Sequence, residues 1–278
     1  MSRNFAFLQI VGKEQEYFQP TDEIVTPELV AVPAPSEDPK KSTADSVSRP
    51  LHDPPSSDSP VFDRQPLRFE MEAWQLGELT KLVRGVFLEA GAEPDRGMTN
   101  RTVVLASSES GNGCSWICAR VGELLASQVA GRVCLVDANF GGATLHEHFG
   151  VPNHHGLLDA LREGGAIGGY VSQLSRRNLA LVSAGSDFSA ERPDRSPAAS
   201  ERMRLRLQEL RADFDYVLVD GASLESSDES IALGKMTDGI GLVLKTHSAR
   251  KERTRSRVQD LKSAGVRILG AVLNQPAS

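Results

Sequence analysis

Short apolar runs recur along the C-terminal two-thirds of the chain, at Thr102 to Ala106, Arg132 to Asp137, Leu179 to Ser183, Tyr216 to Asp220, Ile240 to Lys245 and Ile268 to Leu273. They lack the apolar/polar alternation of a strand with one wet face, so they predict strands buried on both sides. Between them lie stretches with helical spacing, at Cys114 to Ala130, from Leu157 to Leu161, and at Ala198 to Arg211, Glu229 to Met236 and Arg250 to Ser263. Buried strands separated by helices predict an α/β fold, a doubly wound and mostly parallel sheet with helices on both faces. Ligands of such sheets sit outside the carboxyl ends of the strands.

Upstream the pattern changes twice. Phe69 to Leu88 has helical spacing, with Trp74, Leu82 and Phe87 among its apolar positions. Glu78, Lys81 and Arg84 form a charged row three residues apart, which reads as a solvated face or as a subunit contact. Residues 20–68 are rich in Pro, Ser, Asp and Glu and carry too little apolar surface to offset ordering entropy, so they read as a disordered linker. Residues 1–19 form a short amphipathic segment, with a helix expected over 3–18 that places Phe5, Leu8 and Val11 near one face. The folded domain is expected over 69–278.

Composition narrows this further. A chain of 278 residues, 40% hydrophobic and 24% charged, can bury a full core. Net charge −6 argues against general nucleic-acid affinity, which needs a concentrated basic surface. The one basic cluster, Lys245, Arg250, Lys251, Arg253, Arg255 and Arg257, reads as a solvated helix face or as a contact for a phosphate-rich or acidic partner. Cys114, Cys118 and Cys134 include no C-x-x-C pair, so neither a disulfide framework nor a zinc site is indicated. The N-terminus lacks a signal-peptide pattern, and no apolar run nears the roughly 20 residues that span a bilayer. The expectation is a cytoplasmic protein, held at the inner membrane, if at all, through a partner.

The candidate chemistry centres on VVLASSESGNGCS, Val103 to Ser115, an apolar strand running into a glycine-bearing loop and then a helix. In the pattern G-x-x-x-x-G-K-[ST], backbone N–H groups cradle phosphates, the lysine reaches the outer phosphates and the hydroxyl holds magnesium. Gly111, Asn112, Gly113 and Ser115 supply most of such a loop, with Cys114 at the lysine position and Ser108 at that of the first glycine. Asp137 in VCLVDAN and Asp220 in FDYVLVDGAS each follow four apolar residues, which would leave a carboxylate at the mouth of a buried strand. One such aspartate reads as a strand-terminating turn; two beside a glycine loop read as a magnesium-organising pair. His146, His148, His154 and His155 invite a metal reading but lack an H-E-x-x-H arrangement or paired cysteines, and read as a loop.

These segments resemble the cytoplasmic kinase domain of bacterial tyrosine kinases of capsule and exopolysaccharide synthesis, the CpsD/CapB-like family of the MinD/ParA-type P-loop proteins. The similarity covers about Phe69 to Asn274. VCLVDANFGGATLHEHFGVPNHHGLLDAL is similar to that family's second acidic motif and its continuation, which accounts for the histidines. FDYVLVDGASLESSDESIALGKMTDGIGLVLK resembles the Walker B strand with its loop and the next helix and strand. In AGVRILGAVLNQ the resemblance places Asn274 against an adenine, and Glu78, Lys81 and Arg84 resemble the E-x-x-R-x-x-R row through which these kinases form rings.

The resemblance implies a P-loop NTPase fold, with ATP or ADP held by Gly111, Asn112, Gly113, Cys114, Ser115 and Asn274, and magnesium by Ser115, Asp137 and Asp220. The chain departs from it at Cys114, at Asn139 in place of a second aspartate, at Gly221, Ala222 and Ser223 in place of a threonine and two prolines, and in having only Tyr17, Tyr170 and Tyr216 as tyrosines. Nucleotide and magnesium binding are therefore expected to be weakened, Asp137 and Asp220 vestigial, and Trp116 to add bulk beside the site. The expected function is a catalytically degenerate kinase-like protein, a regulatory or scaffolding partner of a membrane polysaccharide chain-length regulator or of an active kinase paralogue, with homo-oligomers through the charged row. An active tyrosine autokinase and a ParA/MinD-like ATPase switch are the alternatives.

Overall fold

The computed structural model describes residues 5–11, 71, 73–89, 100–163, 165–185, 196–225, 228–245 and 251–276. Strand β1 (Phe5–Val11) comes first, then helix α1 (Ala73–Val83), continued by a wider-wound stretch, Arg84–Glu89. Next come β2 (Arg101–Ser107), α2 (Cys114–Gln128), β3 (Val133–Ala138), α3 (Leu145–Phe149) and α4 (Leu157–Glu163). A short 3₁₀ turn, Ile167–Tyr170, leads to β4 (Ser172–Gln173) and β5 (Leu179–Val182). The chain continues through α5 (Pro197–Asp213), β6 (Tyr216–Gly221), α6 (Glu229–Met236), β7 (Ile240–Lys245), α7 (Lys251–Ser263) and β8 (Ile268–Pro276).

The eight strands make one sheet in the order β1-β8-β7-β2-β6-β3-β5-β4. The inner pairings β8-β7, β7-β2, β2-β6, β6-β3 and β3-β5 are parallel, while β1 and β4 run antiparallel at the edges. The doubly wound, mostly parallel sheet expected from the apolar runs is present.

Each unbroken apolar run divides residue by residue between two cores, because side chains alternate across a pleated strand. Val103, Val133, Leu135, Leu218 and Val272 pack with α1, α2 and Leu145 of α3. Val104, Cys134, Val136, Val217, Val219 and Leu273 pack on the other face, with Leu157 and Leu158, Leu207 and Leu210, Leu233, Val258 and Leu261 from α4 to α7. The same alternation carries Asp137, Asp220 and Asn274, the next residues of β3, β6 and β8, to the α2 side.

The N-terminal segment departs from expectation. Residues 5–11 are a strand, not part of a helix, and pair with β8 from Phe5↔Pro276 to Val11↔Ala271. FAFLQIV is rich in aromatic and β-branched residues, and the outer edge of β8 offers unpaired N–H and C=O groups, which a helix cannot satisfy. The expected linker, 20–68, lies outside the described residues. Among the described residues no helix is long and apolar enough to cross a membrane.

Candidate nucleotide site

The loop between β2 and α2 is shaped by its glycines. Gly111 and Gly113 both have positive φ, 81° and 82°, which costs little without a Cβ, so the chain reverses tightly enough to start α2 at Cys114. Gly113 is the N-cap of α2 and supplies no side-chain acceptor, so nothing from the cap covers the first-turn N–H groups. Those groups and the positive end of a 15-residue helix favour an anion.

Two carboxylates stand behind this helix start. Asp137 and Asp220 are opposite one another in the β3-β6 register and both are fully buried. Asp137 is well held, its oxygens accepting from the N–H of Asn139 at 3.1 Å and of Leu145 at 3.1 Å. Asp220 is not: both of its oxygens are buried with no completed hydrogen bond. The Ser115 hydroxyl and the Cys114 thiol lie beside it and ease its ionisation without reaching full hydrogen-bond geometry. Burial raises both carboxyls above the ordinary range; for Asp137 the Asp220 charge adds to the rise, and the N–H groups of Leu145, Asn139 and Thr144 oppose it. Burial first, then the Asp220 charge, pushes the Cys114 thiol far up, so it stays protonated and neutral. Cys118, one turn further along α2, is pushed up in the same way.

These residues fit a nucleotide polyphosphate with magnesium. Two unpartnered buried oxygens on Asp220, with the Ser115 hydroxyl next to them, are hard oxygen donors of the kind magnesium takes. Among the described residues no group of three or more His, Cys, Asp or Glu is arranged to hold a metal ion. A cation here would need phosphate oxygens to complete its shell, as magnesium often does.

The structure brings Gly111, Asn112, Gly113, Cys114, Ser115, Asp137, Asp220 and Asn274 to one edge of the sheet. Asn274 is 1% exposed and donates from Nδ2 to the Asn112 carbonyl at 2.8 Å, while its Oδ1 has no partner. Asn112, also buried, donates from its side chain to the Ser108 hydroxyl at 3.2 Å. Trp116 is buried in the core on the α1 and α2 side, in the same cluster as Cys114. Asn139 turns its amide to the Gly142 carbonyl at 3.1 Å, bracing the loop after β3.

Glu78, Lys81 and Arg84 lie apart from this edge, on α1 and its continuation. Lys81 donates to Glu78 at 2.7 Å, and Arg84 is exposed. In the basic cluster, Arg253 pairs with Glu225 at 3.2 Å and Arg257 with Asp260 at 3.3 Å. His146 and His148 belong to α3, where Arg120 of α2, paired with Glu123 at 2.7 Å, acts on His148. Sequence reasoning missed Arg120, Leu145 as a donor to Asp137, and the Asn112–Asn274 contact. Only the serine pair Ser107–Ser108, polar yet continuous with an apolar strand, hinted at a buried polar floor.

No protein-family model matches the chain. It is 26% identical over 184 residues to tyrosine-protein kinase YwqD of Bacillus subtilis, covering 66% of this chain and 75% of that protein. It is 26% identical over 175 residues to the putative tyrosine-protein kinase EpsB of Ralstonia nicotianae, covering 63% of this chain but 23% of that protein. The curated proteins it resembles are bacterial tyrosine-protein kinases, known or putative. In structure, the chain superposes on the kinase domain of Escherichia coli tyrosine kinase ETK with TM-score 0.61 at 20% identity, covering 72% of this chain and 75% of that one. It superposes on the septum site-determining protein MinD of Pyrococcus horikoshii, complexed with Mg-ADP, with TM-score 0.51 at 18% identity, covering 62% and 69%. At those identities the superpositions establish the MinD/ParA-like P-loop fold. The chain thus spans three quarters of one curated relative and less than a quarter of the other.

Proposed function

We propose that this chain binds ATP or ADP weakly at the Gly111–Ser115 loop and acts as a regulatory or scaffolding partner in exopolysaccharide or capsule biosynthesis and export, without efficient phosphoryl transfer. The observation that carries this reading is Cys114, a buried and neutral thiol facing Asp220 where the phosphate-loop pattern has its lysine. Loss of one preorganised donor to transition-state charge costs about 3–4 kcal/mol, roughly a hundred- to thousandfold in rate. Asn139 removes a second charge and is engaged with the Gly142 carbonyl instead.

The remaining groups support binding. The first-turn N–H groups of α2 orient phosphates, Ser115 and Asp220 offer the oxygens for magnesium, and Asp137 fixes the loop after β3 through Leu145 and Asn139. Magnesium, when bound, would neutralise phosphate charge beside an otherwise uncompensated Asp220. A membrane chain-length regulator or an active kinase paralogue is the partner this reading calls for, and the Glu78, Lys81 and Arg84 face is its candidate self-association surface.

Calorimetric titration with ATP and ADP, with and without magnesium, followed by a turnover assay, tests the proposal. The expected result is weak, magnesium-assisted binding with negligible turnover. Cys114→Lys should tighten nucleotide binding at least tenfold, since a hydrogen bond to a charged group is worth about 1.5–3 kcal/mol. Turnover at the level of an active kinase, abolished by Asp220→Ala, would overturn it.

A further inference from the structure

The strongest unexplained feature of the site is Asn274, a polar side chain at 1% exposure whose amide nitrogen is bonded to the protein and not turned to the site's mouth. It lies 162 residues from its partner, the carbonyl of Asn112, so the contact ties β8 directly to the glycine loop. The backbone of Asn274 is itself fixed on both sides, opposite Lys245 in β7 and opposite Leu8 in β1. It is a rigid point, and the loop is held by it.

The peptide it holds is the one that matters. Asn112 stands between Gly111 and Gly113, both at positive φ, where a loop without Cβ atoms has its widest choice of orientation. In a trans peptide the C=O and the following N–H point in opposite directions. Drawing the Asn112 carbonyl toward β8 turns the Gly113 N–H the other way, away from Asn274. The Asn112 side chain adds a second tie to the floor, through Ser108. The amide orientation of Asn274 follows from this contact, because a carbonyl accepts only from the nitrogen end.

From this we infer that Asn274 is a positioning residue of the phosphate loop: it sets the Asn112–Gly113 peptide plane so that loop N–H groups face the phosphates, and its effect on ligands is independent of the base. This rests on the nucleotide-binding reading for its ligand, but the geometry it describes exists in the protein without one.

The experiment uses the full chain and two variants. Asn274→Ala deletes the contact, and Asn274→Asp keeps the shape while removing the donor. Amide hydrogen exchange should speed up about tenfold or more across residues 111–115 in both variants, with β7 and β8 as protected as in the parent. Affinities for ATP and for inorganic tripolyphosphate, which has no base, should fall by the same factor, about two- to tenfold for one neutral hydrogen bond. Unchanged exchange in the loop, or equal loss of protection across the whole sheet, overturns the inference. So does a loss of ATP affinity with tripolyphosphate unaffected, which would make Asn274 a base contact. If the parent binds neither ligand, the nucleotide-binding reading falls, and the exchange measurement still decides the role of Asn274.

Discussion

Asp220→Asn should stabilise the metal-free protein. Both Asp220 oxygens are buried without a completed hydrogen bond, and Asp137 stands opposite in the neighbouring strand. Adjacent strands lie about 5 Å apart, and two unit charges at that spacing repel by about 3 kcal/mol at an effective dielectric of 20. An unsatisfied buried group adds roughly 1–3 kcal/mol, of which asparagine keeps a part because its amide also lacks partners. Because burial keeps the pair partly protonated near neutral pH, only part of this repulsion is felt, and the net gain is about 2 kcal/mol, or about 4–8 °C in Tm for a domain of this size.

The gain should depend on pH in a definite direction. Both folded-state carboxyls titrate above their unfolded values, so the folded state holds protons that the unfolded state has released. Stability from this pair is complete in acid, below the ordinary carboxylate range, and is lost as pH rises through the raised folded values. Thermal melts in chelator from pH 5 to 8 should therefore show the parent losing ground on the variant as pH increases. A lower Tm for Asp220→Asn across that range would refute the reasoning, and would mean that Ser115 and Cys114 stabilise the carboxylate more than burial and Asp137 oppose it.

Three further outcomes are expected. Gly156→Ala would drive a Cβ into the Ser183 carbonyl oxygen and the Gly185 nitrogen, both backbone atoms that cannot swing aside, so denaturant melts should show a loss of about 3 kcal/mol; a loss under about 1 kcal/mol would show that the turn relaxes. Burial, with Arg120 and His146 next, lowers His148 to about 4, so the unfolded chain takes up its proton first and stability should fall by about 2 kcal/mol between pH 7 and 5; the same fall in His148→Gln would remove that account. Deleting residues 1–12 uncovers the outer edge of β8 and should lower Tm by several degrees, whereas an unchanged melt would show that β1 is not docked in solution.

The sequence by itself determined the sheet and its strand ends. Runs such as VCLVD and YVLVD, short and rich in valine, read as strands buried on both faces, and their carboxylates then fall at the mouth of the sheet whatever the detailed packing. The glycine loop was equally legible, because Gly111 and Gly113 record a backbone requirement in residue type. Tertiary structure alone decided the rest. The sequence did not show that Asp137 and Asp220 share one register position, since pairing between β3 and β6 is set by packing across 83 residues of chain. Nor did it show that Trp116 belongs to the core, that residues 5–11 close an edge of the sheet, or that Asn274 grips Asn112. Each is a contact between distant segments, and periodicity reports only which way a residue faces, not what it meets there.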